Sequence, residues 1–145
     1  MSEQPPSWFQ SIPGSSNVLV LAPHGGITEG SLLEASAVGR SGNDLHTAAL
    51  AEEFAARLGA SALINPCFDR NVLDLNRVKD VRTRAPWFLE QIEESLDPIL
   101  ARHPRAVLLF VVYFKTQHAV VCVWRHCNHE SFILPLWRIV ICNGT

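Results

Sequence analysis

The chain has 145 residues, 48% of them hydrophobic, with 12 basic and 14 acidic side chains and a formal charge of -2. That length buries a sizeable core in one domain, and the near balance of charge excludes the electrostatic footprint of a nucleic-acid binder. The opening "MSEQPPSWFQ" lacks the basic and apolar regions of a secretory signal. The longest apolar stretch, "AVLLFVVYF" at 106–114, is about half of a membrane span. Cys67 stands apart from Cys122, Cys127 and Cys142, a spacing that suits reduced thiols better than a disulfide framework. A cytoplasmic protein without membrane or nucleic-acid partners is expected.

Residues 1–16, rich in Pro and Ser, read as a surface leader. "NVLVLAPH" (17–24) is a continuous apolar run ending on Pro-His, which suits a strand buried on both faces. "LHTAALAEEFAARLG" (45–59) predicts a helix. Leu45, Ala48, Ala49, Phe54 and Leu58 mark its buried side, Asp44 lies at its cap and Gly59 at its stop. "ASALINP" (60–66) is a second strand, and the polar run "FDRNVLDLNRVKDVRTR" (68–84) reads as a loop. "APWFLEQIEESLDPILARH" predicts a long helix disturbed near Pro98, and "RAVLLFVVYF" a third buried strand. Alternating strands and helices predict an α/β domain, a three-layer mixed or parallel sheet with flanking helices. Its span is 17–110. Beyond that, in 111–145, Glu130 is the only acid and Val, Ile, Trp and Cys accumulate without a helical face. This tail is expected to pack poorly, and a frameshift or gene-model error just after Phe110 would produce so abrupt a change.

Two short motifs carry the chemistry. In "LAPHGGITEG" (21–30) a strand ends on His24, Gly25 and Gly26 clear the approach, and Glu29 follows within reach. A zinc ion takes neutral imidazole and carboxylate ligands at about 2 Å, and a catalytic site keeps one position open for water. The second motif is "DRNVLDLNR" (69–77), with Arg70, Asp74, Asn76 and Arg77 soon after the second strand. Arginine holds a carboxylate through a planar fork, which a neighbouring Asp or Asn can orient. Either motif alone is weak: the first by itself reads as a solvated Gly-rich loop, the second as a surface ion-pair network.

Together, "PHGG" with its following Glu and "DLNR" after the second strand resemble the zinc-dependent N-formylglutamate amidohydrolase family, itself similar to the aspartoacylase and zinc carboxypeptidase group. The resemblance covers roughly 17–111 and implies a zinc-exopeptidase-like fold, incomplete here at its C-terminus. It implies zinc as cofactor, with His24 and Glu29 as ligands and Asn76 and Arg77 gripping a carboxylate on a small-molecule or peptide substrate. Asp74 would orient Arg77, with Arg70 beside it, and Asp44 and His46 would support the site. The family's third ligand follows the strand matching "AVLLFV"; here "VVYFKTQH" leaves His118 as the nearest substitute. The family's catalytic Glu belongs to a C-terminal half that has no counterpart, so the expected deformylase-like activity is impaired. A poly-γ-glutamate or related peptide hydrolase, and a non-catalytic α/β fragment, are the alternatives.

Overall fold

A computed structural model describes residues 4–24, 47–66, 70, 73–114 and 118–126, with backbone alone for Val78 and from Val112 onward. Five strands form one mixed sheet in the order β1-β3-β2-β4-β5. The strands are β1 (Gln10–Ile12), β2 (Val18–Ala22), β3 (Ser61–Ile64), β4 (Ala106–Phe114) and β5 (His118–His126). β2 lies at the centre, parallel to β3 on one side and to β4 on the other. The outer strands β1 and β5 run antiparallel to their neighbours.

Period-two alternation along the central strands explains the layers. Val20 and Ala22 of β2, Ala62 and Ile64 of β3, and Leu109 and Val111 of β4 share one face, covered by α1 (Thr47–Leu58). Leu19, Leu21, Leu63, Leu108 and Phe110 point to the other face. There α2 (Val78–Arg84) and α3 (Pro86–Arg102) bury Val81, Trp87, Phe88, Ile92, Leu96 and Ile99. Both faces of the three parallel strands are therefore dry, which is why their sequences are apolar throughout.

α1 meets the sheet through small side chains. Thr47, Ala48, Ala51 and Ala55 are buried, whereas Ala49 is exposed and Leu58 is 46% exposed. The expected buried stripe is thus rotated: alanines let the helix backbone lie close over β2 and β3, and Phe54 covers only the margin. Gly59 ends the helix as expected, in the left-handed region at φ 58°, while the Ala60 N–H donates to the Ala55 carbonyl.

Three further differences from the sequence reading have local causes. The 68–84 run is not all loop, because α2 occupies its end and is pinned by the buried Val81. Nothing breaks α3 at Pro98; it runs on to Arg102, with Pro86 at its first turn where no N–H is needed. The 1–16 segment supplies β1, and Phe9 is buried against Trp87 with ring centroids 4.9 Å apart at 68°. Nor does the sheet stop where the composition changes. β4 continues to Phe114, and β5 pairs with it from Ala106↔His126 to Phe114↔His118. The remaining tail, 127–145, lies outside the described residues. No helix among the described residues is long and apolar enough to cross a membrane.

Candidate functional site

The topology singles out one place. From β2 the chain crosses over α1 to β3, then returns by α2 and α3 on the opposite face to β4 on the other side of β2. The winding reverses at β2, and in open α/β sheets ligands bind outside the carboxyl ends of strands at such a switch point. His24 stands there, two residues past the last residue of β2, with 0% of its surface exposed.

Asp74 reaches His24 across fifty residues of sequence, with its Oδ1 2.8 Å from Nε2. The same oxygen accepts the Asn76 backbone N–H at 2.9 Å. The other oxygen, Oδ2, accepts from Arg70 Nε at 3.3 Å and lies 3.2 Å from Arg77 Nε. Leu73 and Leu75, both buried, hold Asp74 inward from either side along the chain. Burial works against ionisation of this carboxyl. The His24 hydrogen bond, the Asn76 N–H and the charge of Arg70 outweigh it and hold the carboxyl well below the usual carboxylate range.

An ionised carboxylate only accepts hydrogen bonds, so Nε2 of His24 must carry the hydrogen. In the neutral ring Nδ1 then presents a lone pair. That atom is buried and has no hydrogen-bond partner among the described residues. A buried polar atom is ordinarily satisfied, and an exception calls for an explanation. A divalent cation fits it chemically, since zinc accepts a neutral imidazole nitrogen.

The backbone around His24 is held as well. Asn65, just past β3, donates from Nδ2 to the Pro23 carbonyl at 2.9 Å, and its N–H donates to the Ala22 carbonyl. Thr47 Oγ1, at the start of α1, donates to the His24 carbonyl at 2.9 Å. Both side chains are fully buried. Neither Thr47 nor Asn65 is among the residues singled out from sequence. An Asn beside a Pro at a strand end is a faint signal, and a Thr inside a helical stretch is none.

The predicted site residues distribute as follows. His24, Arg70, Asp74, Asn76 and Arg77 come together, with Asp74 joining them. Asp74 was expected to orient Arg77; it lies beside Arg77 and bonds the metal-ligand candidate besides. Arg77 keeps 75% of its side chain exposed, so its guanidinium is open to a ligand. Glu29, Asp44 and His46 lie outside the described residues. His118 opens β5 opposite Phe114, at the same end of the sheet as His24. Its backbone is two strand spacings from β2, about 10 Å. Among the described residues no group of three or more His, Cys, Asp or Glu side chains could hold a metal. Two open cavities of about 600 and 560 Å³ flank Pro13 and Gly14 at the opposite end of the sheet and include none of these residues.

No family model, curated protein or solved structure matches this chain.

Proposed function

We propose that the chain is built as a zinc-dependent hydrolase of an amide bond in a carboxylate-bearing substrate, of the N-formylglutamate deformylase type, on a zinc-exopeptidase-like α/β scaffold. One observation carries the reading: the buried Nδ1 of His24, which has no hydrogen-bond partner among the described residues and is backed through Nε2 by the Asp74 carboxylate. Metal-ligating histidines almost always donate their other ring N–H to a carboxylate or carbonyl, which fixes the tautomer and raises ligand basicity. A cytoplasmic location suits the spacing of the cysteines.

His24, Glu29 and His118 would hold the ion. When bound, zinc supplies Lewis-acid polarisation of a scissile carbonyl and a water of lowered pKa. The protein's own residues do the rest. Asp74 keeps the hydrogen of His24 on Nε2 and leaves Nδ1 free to coordinate. Arg77, exposed and oriented through its Nε by Asp74, offers its outer N–H groups to the substrate carboxylate, and Asn76, whose backbone N–H donates to the same Asp74, would join it there. This clamp orients the amide and adds no proton transfer of its own. A carboxylate base would have to move the water's proton to the leaving amine. No residue is assigned that role, so the proposed activity is weak.

The test is zinc content and affinity of the purified full chain, with N-formylglutamate hydrolysis measured in parallel. The reading expects one zinc per chain, its loss in His24→Ala, and little turnover. A wild-type chain that takes up no zinc overturns it.

A further inference from the structure

The ladder between β2 and β3 ends at Ala22↔Ile64, with the Asn65 N–H closing on the Ala22 carbonyl. The next two carbonyls, those of Pro23 and His24, lie beyond the ladder. Two buried side chains from different elements meet them one each: Asn65 Nδ2 on Pro23 and Thr47 Oγ1 on His24, both at 2.9 Å. The pyrrolidine ring already fixes one torsion at Pro23. With both carbonyls anchored, the peptide carrying His24 has little freedom, and Asp74 settles the ring.

We propose that Thr47 and Asn65 are positioning residues, which fix the Pro23–His24 backbone so that His24 Nδ1 is presented to a divalent cation. This rests on the zinc reading of the site. The arrangement has the form a metal ligand demands: one contact on the ring, two on the backbone, and the remaining ring nitrogen without a partner among the described residues. Ligand atoms work only when held to within about 0.5 Å, by neighbours that are themselves locked in place. Being wholly buried, Thr47 and Asn65 cannot shed their bonds to water, so their geometry is enforced. Their removal leaves the ligand present but loosely aimed.

Zinc affinity of the full chain, by competition with a chromophoric chelator, is measured beside urea stability of the zinc-free form. The proteins are wild type, Thr47→Val, Thr47→Ser and Asn65→Leu. Thr47→Val and Asn65→Leu are expected to weaken zinc binding by about tenfold or more, the usual effect of removing a supporting contact. Thr47→Ser, which keeps the hydroxyl, restores wild-type affinity. If both variants lose stability yet the folded protein binds zinc as wild type does, the two residues serve the fold alone and the inference is overturned. Absence of zinc on wild type overturns the zinc reading together with it. Should either variant fail to fold, hydrogen exchange on wild type decides: zinc must slow exchange at Asn65, and unchanged exchange overturns the proposal.

Discussion

Asp74 touches His24 with one carboxylate oxygen and draws Arg70 and Arg77 to the other. A single buried side chain thereby joins the metal-ligand candidate to the proposed carboxylate clamp, and most consequences of the site run through it.

Asp74→Asn sets an amide NH₂ against a donor on one side or the other, since His24 Nε2, Asn76 N–H and Arg70 Nε all need an acceptor. Hydrogen bonds to charged groups contribute about 1.5–3 kcal/mol each, so the variant should lose about 2 kcal/mol. Urea denaturation checks this, with an unchanged m value showing that the unfolded state is unaltered. A loss below about 0.5 kcal/mol, the range of an ordinary surface change, would mean that the carboxylate is idle.

Acid should erase that difference. The Asp74 carboxyl titrates well below its usual 3.8 in the folded chain. A depressed folded value adds stability that is complete above the unfolded value and is lost as pH falls through the folded one. The stability gap between wild type and Asp74→Asn should therefore stay level from about pH 5 to 7 and close progressively below about pH 4. A gap that persists unchanged at low pH assigns the loss to packing.

Arg77→Lys separates recognition from stability. Its side chain is three-quarters exposed, and exposed ion pairs contribute about 0–1 kcal/mol, so the fold should barely notice. A lysine cannot reproduce the two-pronged contact with a carboxylate. Binding of N-formylglutamate, read by calorimetry on the zinc-loaded chain, should weaken by about tenfold or more. Equal binding would make Arg77 a surface residue.

Gly14→Ala probes the end of the sheet remote from the site. A Cβ there would lie 2.1 Å from the Ala60 carbonyl carbon and 2.3 Å from the Ser61 nitrogen. Both are backbone atoms and cannot swing aside. The variant should lose about 1–3 kcal/mol in thermal or urea unfolding, as other overpacked sites do, while zinc affinity stays unchanged. A loss of zinc in step with stability would show that the two ends of the sheet are coupled.

The sequence carries β2, β3, β4 and α3 openly because buried parallel strands and a long amphipathic helix leave strong patterns. α1 is visible as a helix but not in its orientation, since pattern favours large residues such as Leu58 while the sheet accepts alanines. β1 is three residues long, and α2 is pinned by the buried Val81 with no capping side chain at Arg77. Both exist through tertiary contacts that no local period records. At the site, motif spacing brings out His24 and the Arg70–Arg77 run separately. Their junction, Asp74 on His24, spans fifty residues and has no signature in either motif.

The central place of β2 has a consequence for synthesis. β2 is made early, yet one of its edges pairs with residues 107–110, from Val18↔Val107 to Leu21↔Phe110. Until the ribosome has delivered that stretch, the apolar strand before His24 keeps a row of open N–H and C=O groups. Parallel pairing across such a distance is slow to close, and an unpaired apolar edge invites the wrong neighbour. Residues 1–100 alone therefore leave β2 half-paired, and the nascent chain depends on β4 arriving before another strand does.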